Sequence, residues 1–201
     1  MIKMKCEKLS IVIDERQDQL DIHTLRTLYS AVEVPPEVSV SELSKEVEEF
    51  ILENRITSPE KLHFSSLRYE QRLTLVELIG KMPIRIKMYV YYDFRKNQAI
   101  TKKINLVRTV RYTQYKHRNK ELTFYVEHAG EYKGVIRRES LTTDHFLSLV
   151  ADCYCYVFAI KLNKPWDTRN NDMYTLIRHQ IRLHTYIYDN KKIEDSKSNR
   201  I

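Results

Sequence analysis

Leu9-Ser10-Ile11-Val12-Ile13-Asp14-Glu15 is the stretch on which the reading of this chain turns. Leu9, Ile11 and Ile13 alternate with Ser10, Val12 and Asp14, a period of two that predicts a β-strand over residues 8–14. Successive strand side chains point to opposite faces, so Asp14 stands across the sheet from the three aliphatics. A hydrophobic strand that carries a carboxylate to its end supplies the hard oxygen ligands that Mg²⁺ or Mn²⁺ prefers. Leu122-Thr123-Phe124-Tyr125-Val126-Glu127 repeats the pattern downstream, and Asp152 lies within a predicted helix.

Composition narrows the alternatives. A chain of 201 residues suits one domain, with residues 1–189 forming a single unit and the charged run 190–201 a flexible tail. The net charge of +7 favours a polyanionic partner such as nucleic acid. Only Gly80, Gly130 and Gly134 are present, and neither a dinucleotide-binding G-x-G-x-x-G turn nor a P-loop can be written with them. Cys6, Cys153 and Cys155 have no framework spacing, and the start Met1-Ile2-Lys3-Met4-Lys5 has no long apolar run. No window is expected to reach the roughly 18 apolar residues of a membrane span. These features predict a reduced, cytoplasmic protein with no membrane partner, while a protein partner and the oligomeric state stay open.

Hydrophobic periodicity places the remaining elements. Residues 21–34 read as a strand ended by Pro35-Pro36, and residues 41–54 as a helix with the stripe Leu43, Val47, Phe50 and Ile51. Ser39 and Glu42 have capping-box spacing before it. A helix from about Ser66 is expected to stop at Gly80, and Ile84 to Tyr92 alternates as the clearest strand. A basic helix is predicted over 101–120, then the Glu127 strand, a helix over 144–162, and a last helix over 171–189 carrying Met173, Leu176, Ile177, Ile181 and His184 on one face. Interleaved strands and helices predict an α/β domain with a mixed sheet.

Asp14 and Glu127 occupy matching points of their strands, so neighbouring strands would set them side by side. Asp152 shares a helix with the core stripe Leu147, Ala151, Tyr154 and Phe158, where a carboxylate is costly unless paired or coordinating. Two ions about 3.5–4 Å apart clamp the attacking and leaving oxygens in phosphodiester hydrolysis, which is the reaction several carboxylates in one pocket suit. Asp14, Glu127 and Asp152 are therefore the candidate catalytic and metal-holding residues, with Glu60 or Asp18 as a fourth acid. His63 titrates near neutrality and could support proton transfer, although a structural role is the plainer reading. His179 and His184, five apart, lack the spacing of a shared helical metal site, and Cys153 and Cys155 read as small buried hydrophobes.

A basic stretch, Lys102, Lys103, Arg108, Arg111, Lys116, His117, Arg118 and Lys120, is interleaved with Tyr112 and Tyr115. Such residues supply phosphate affinity and base stacking, or simply form a solvated helix face. Lys102, Lys103, Arg108, Arg111, Tyr112, Lys116 and Arg118 are the candidate nucleic-acid contacts, with Arg137-Arg138 a possible extension.

Three ordered segments carry a resemblance. Ile13-Asp14-Glu15-Arg16-Gln17-Asp18 resembles the Ile-Asp-Glu-Ser-Gly-Asp opening of the bacterial family catalogued as domain of unknown function 3800. Lys61-Leu62-His63-Phe64-Ser65-Ser66-Leu67 is similar to its hydrophobic-His-Phe signature, and Leu147-Ser148-Leu149-Val150-Ala151-Asp152-Cys153 to its Leu-Gln-Leu-Ala-Asp helix. The resemblance spans roughly residues 9–160. It implies a ribonuclease H-like mixed sheet flanked by helices, an acidic Mg²⁺ or Mn²⁺ site and nuclease activity in mobile-element or phage-defence settings. Asp14 matches the first-strand acid, Asp152 the late helix acid, and Glu127 the later strand acid, usually Asp. Lys61 stands where an acid commonly precedes the histidine, with Glu60 one position earlier. Arg16-Gln17 replaces Ser-Gly and Leu149 replaces Gln, departures that point to a second reading: a catalytically degenerate member that binds nucleic acid or protein.

Overall fold

The computed structural model describes residues 7–21, 24–56, 62–93, 98–127 and 140–188. Among them, six strands form one mixed sheet: β1 (Lys8–Gln19), β2 (Leu25–Val34), β3 (Arg85–Asp93), β4 (Glu121–Val126), β5 (Ser140–Thr142) and β6 (Ile181–Tyr188). Their order across the sheet is β5-β4-β1-β2-β3-β6. β1, β2 and β3 make an antiparallel meander, while β4, β5 and β6 join in parallel. Among the described residues five helices flank the sheet: α1 (Val40–Glu53), α2 (Tyr69–Lys81), α3 (Gln98–Lys116), α4 (His145–Asn163) and α5 (Thr168–Ile177).

The alternation of β1 divides the core in two. Leu9, Ile11 and Ile13 pack with Tyr29, Tyr89 and Tyr91 beneath Leu106 and Val110 of α3. Val12, Leu28 and Val32 face the other way, into a larger cluster with α1, α2, α4 and α5. β2 lies between β1 and β3 with both faces covered, and all ten of its residues are buried. The α1 cap follows the expected spacing, with Ser39 Oγ accepting from the Glu42 amide at 3.3 Å.

Helix α4 is the central element of the larger cluster. Asp144 caps it by accepting from the Leu147 amide at 2.9 Å. Its 19 residues are long and apolar enough to cross a membrane by length and composition, so the expectation that no window reaches that limit fails here. The physical reason is packing. Small residues let α4 lie close across the sheet: the Ala151 carbonyl accepts from Ser30 Oγ at 2.7 Å, and the Cys155 thiol reaches the Asp14 carbonyl at 3.5 Å. Cys153 and Cys155 are buried and free, and burial pushes both thiols well up, as suits inert packing residues.

The last helix is shorter than its periodicity suggests. α5 ends at Ile177, a 3₁₀ turn covers Arg178–Gln180, and Ile181 to Tyr188 is a strand, so Ile181 and His184 do not continue a helical face. β3 offers an edge that pairs with it from Ile86↔Ile181 to Asp93↔Tyr188, and sheet hydrogen bonding overrides the helical pattern. Buried Gln180 sets the turn: its amide donates to the carbonyls of Ile79 and Met82, and its oxygen accepts from Tyr154 Oη at 2.6 Å. Gly80 likewise is not a helix stop. α2 starts at Tyr69, runs through Gly80 to Lys81, and uses the missing side chain for close approach, since a Cβ there would lie 3.0 Å from the Leu176 carbonyl oxygen.

Candidate acidic metal site

Asp14 is a mid-strand residue, not a strand-end one, because β1 continues to Gln19 in register with β2. The strand that ends at the site is β4. Its parallel pairing with β1 reaches Ile13↔Val126, so Asp14 and Glu127 are the next residues along adjacent strands. Carboxylate oxygens of Asp14, Glu15 and Glu127 all lie within 4.8 Å of one another. Glu15 closes the opening sequence motif, where its pattern does not mark it as a ligand. Strand alternation assigns it to the opposite face from Asp14, yet its longer side chain still meets the other two. Its carboxylate is also ion-paired with Lys102 of α3.

Asp152, on the helix side, is not among the three converging acids, but its charge acts on Asp14. Asp14 is 8% exposed, and burial together with the negative charges of Glu15, Asp152 and Glu127 holds its carboxyl well above the ordinary carboxylate range. Burial also raises Asp152, opposed by the Phe64 amide, His63 and Arg16, and reinforced by Glu127. The Phe64 N–H donates to Asp152 Oδ2 at 2.7 Å, and His63 Nδ1 is 3.8 Å from the same oxygen with its ring largely in solvent. Three carboxylates converging with a fourth close enough to feel their charge form a donor set of hard oxygens, the chemistry Mg²⁺ or Mn²⁺ takes.

One candidate supporting residue, Asp18, lies apart from the converging acids. It is held by Arg16 Nε at 3.1 Å and by buried Arg26 at 2.7 Å. Glu60 and Arg137-Arg138 lie outside the described residues. The segment 190–201 does too.

The basic helix has one face in the core and one in solvent. Thr109 and Thr113 hydrogen-bond Tyr91 and Tyr89 at 2.8 and 3.0 Å, which turns Lys103, Arg111 and Lys116 outward, with Arg118 exposed just beyond the helix. Arg108 is partly buried and bonds Asn105 at 3.1 Å. Tyr112 packs edge-on to Tyr89 and tilted against His184, with the Lys116 ammonium 5.3 Å from its ring centre. Tyr115, at 68% exposure, is the ring presented to solvent.

Beyond Asp152, the α4 register brings in residues the sequence reading passed over. Tyr156 lies one turn on, packed against Phe64 at 5.2 Å between ring centres. The guanidiniums of Arg16 and Arg72 lie 5.2 and 5.4 Å from its ring centre. Only Arg16 carried a prior signal, by its place two residues after Asp14.

Comparison of the chain with protein-family models, curated proteins and solved structures finds no match.

Proposed function

We propose that this protein is a divalent-metal-dependent nuclease that hydrolyses phosphodiesters of DNA or RNA. One observation carries the reading: Asp14, Glu15 and Glu127 converge at the junction of β1 and β4, with the Asp14 carboxyl raised first by burial and then by neighbouring charges that a bound cation would neutralise. The mixed sheet is compatible with a ribonuclease H-like fold, and the resemblance to domain of unknown function 3800 supports the same reading from the order of its motifs.

Asp14, Glu15 and Glu127 would hold Mg²⁺ or Mn²⁺, with Asp152 adjoining them. Such an ion supplies Lewis acidity toward the phosphoryl oxygen and lowers the pKa of bound water. Phe64 keeps Asp152 fixed, because its amide hydrogen bond removes the rotational freedom of a half-buried carboxylate. Lys102 limits how much negative charge Glu15 adds. Lys103, Arg111, Lys116 and Arg118 give α3 a solvent face suited to a nucleic-acid backbone.

The test is cleavage of single- and double-stranded DNA and RNA with Mg²⁺ or Mn²⁺, and with EDTA. Metal-dependent products that disappear with Asp14→Asn support the reading; no turnover on any substrate, or full activity in that variant, refutes it. A specific observation favours the second reading, a catalytically degenerate nucleic-acid- or protein-binding module. Lys102 and Arg16 already place positive charge at Glu15 and Asp152, where an ion would otherwise do so. Mn²⁺ titration calorimetry separates the two, since a degenerate site binds no ion.

A further inference from the structure

A strip of paired residues from β1 and α4 runs beside the carboxylates and carries Arg16. Asp14, Arg16 and Asp18 share one face of β1, and Asp152, Tyr156 and Asn163 follow one another along α4 above it. The pairing is regular: Asp14 senses the charge of Asp152, Arg16 lies over Tyr156, and Asp18 is joined through Arg26 to Asn163. The strip therefore runs away from the acids with Arg16 as its next residue.

Arg16 and Arg72 come from β1 and α2, yet both direct a guanidinium to the Tyr156 ring. Two like charges converge on a half-buried ring at a cost that cation–π attraction only partly offsets. Their hydrogen-bonding capacity is under-used. Arg16 spends Nε on Asp18, and Arg72 spends Nη1 on Tyr156 Oη at 2.6 Å. Among the described residues no hydrogen-bond partner is present for the other terminal nitrogens, and Arg72 Nε is buried without one. The Arg16 side chain is 34% exposed, so the pair is reachable. A planar fork with spare N–H groups matches a phosphate, which accepts two parallel hydrogen bonds.

We propose that Arg16 and Arg72, set around Tyr156, form a phosphodiester-binding rim that seats a backbone phosphate of the nucleic acid beside the carboxylates. This rests on the nucleic-acid reading of the site, but not on catalysis. It gives Arg16 a function at the position where the resembled family has serine.

Binding is measured in EDTA, where no turnover occurs, by fluorescence anisotropy of end-labelled single-stranded DNA and RNA of about 12 nucleotides. Arg16→Gln and Arg72→Gln are each expected to weaken binding about tenfold and to lower the slope of log affinity against log salt by about 1. Arg72→Lys keeps the charge and the slope, and Lys45→Gln on α1 leaves both unchanged. If Arg72→Gln fails to fold, Arg16→Gln decides, because it removes no hydrogen bond from Tyr156. Unchanged affinity and salt slope in Arg16→Gln overturns the rim. So does displacement of the oligonucleotide by orthophosphate at concentrations where a dinucleotide has no effect, which would assign the arginines to free phosphate. Absence of metal-dependent cleavage with these binding losses intact would refute the nuclease and leave the rim standing.

Discussion

The Phe64 amide donates a 2.7 Å hydrogen bond to Asp152 Oδ2 across 88 positions of sequence. It ties the 3₁₀ turn Phe64–Ser66 to the middle of α4 and holds one acid of the site by a backbone group. Phe64 is itself fully buried, so its N–H has no recourse to water.

Removing that acceptor separates fold from chemistry. Asp152→Ala leaves a buried N–H unsatisfied and is expected to cost about 1–3 kcal/mol, less whatever is regained by removing a carboxylate from a crowded acidic site. Asp152→Asn keeps the acceptor and loses the charge, so its thermal midpoint should equal or exceed that of the unmodified chain. Both variants should lack metal-dependent cleavage. Differential scanning calorimetry beside a cleavage assay checks this; an Asn variant as unstable as the Ala variant would contradict the role given to Phe64.

Asp14 makes stability depend on pH and on metal. Its folded carboxyl titrates well above the 3.8 of a free aspartate, so the folded state holds the proton more tightly than the unfolded chain. Without divalent ion, the contribution of Asp14 to stability is fully present below about 3.8 and is lost as pH rises through the raised folded value. Mg²⁺ at about 100 times its Kd should restore about 2.7 kcal/mol at neutral pH, a rise of roughly 5–10 °C in Tm. Asp14→Asn should be the more stable chain in EDTA and show no Mg²⁺ response.

Lys102 competes with an ion for Glu15. Lys102→Met removes a unit charge from the edge of the carboxylates and should tighten Mn²⁺ binding about tenfold at low salt, with the gain shrinking as ionic strength rises. Calorimetric titration at two salt concentrations reads the effect. Weaker binding in the variant would mean that Lys102 positions Glu15 more than it screens it.

Gly80→Ala tests the contact between α2 and α5. Alanine raises helix propensity by about 1 kcal/mol, but the new methyl meets the Leu176 carbonyl at 3.0 Å, and a backbone atom in a packed helix yields poorly. A net loss of about 1–2 kcal/mol in chemical denaturation is expected; a gain would show that α5 shifts freely.

How far the sequence could be read depended on how local each decision was. Alternation along β1 separated Asp14 from Leu9, Ile11 and Ile13, and the two sides of the sheet keep that division. The helix around Asp152 and the basic helix were legible from composition and periodicity, each to within a few residues. Ile181 to Tyr188 was not, because a short apolar run permits both periods, and the open edge of β3 chose the strand.

At the candidate site the same boundary holds. By itself the sequence determined that Asp14 and Glu127 sit at equivalent strand positions and that Asp152 stands among apolar neighbours on a helix, since these follow from spacing along one element. Only the tertiary structure decided that Glu15 joins them, that Lys102 answers Glu15, that Asp18 is bound instead to Arg16 and Arg26, and that Arg72 meets Arg16 over Tyr156. Those relations depend on which elements lie side by side and on how far a long side chain reaches between them, and neither is written in the periodicity of a single segment.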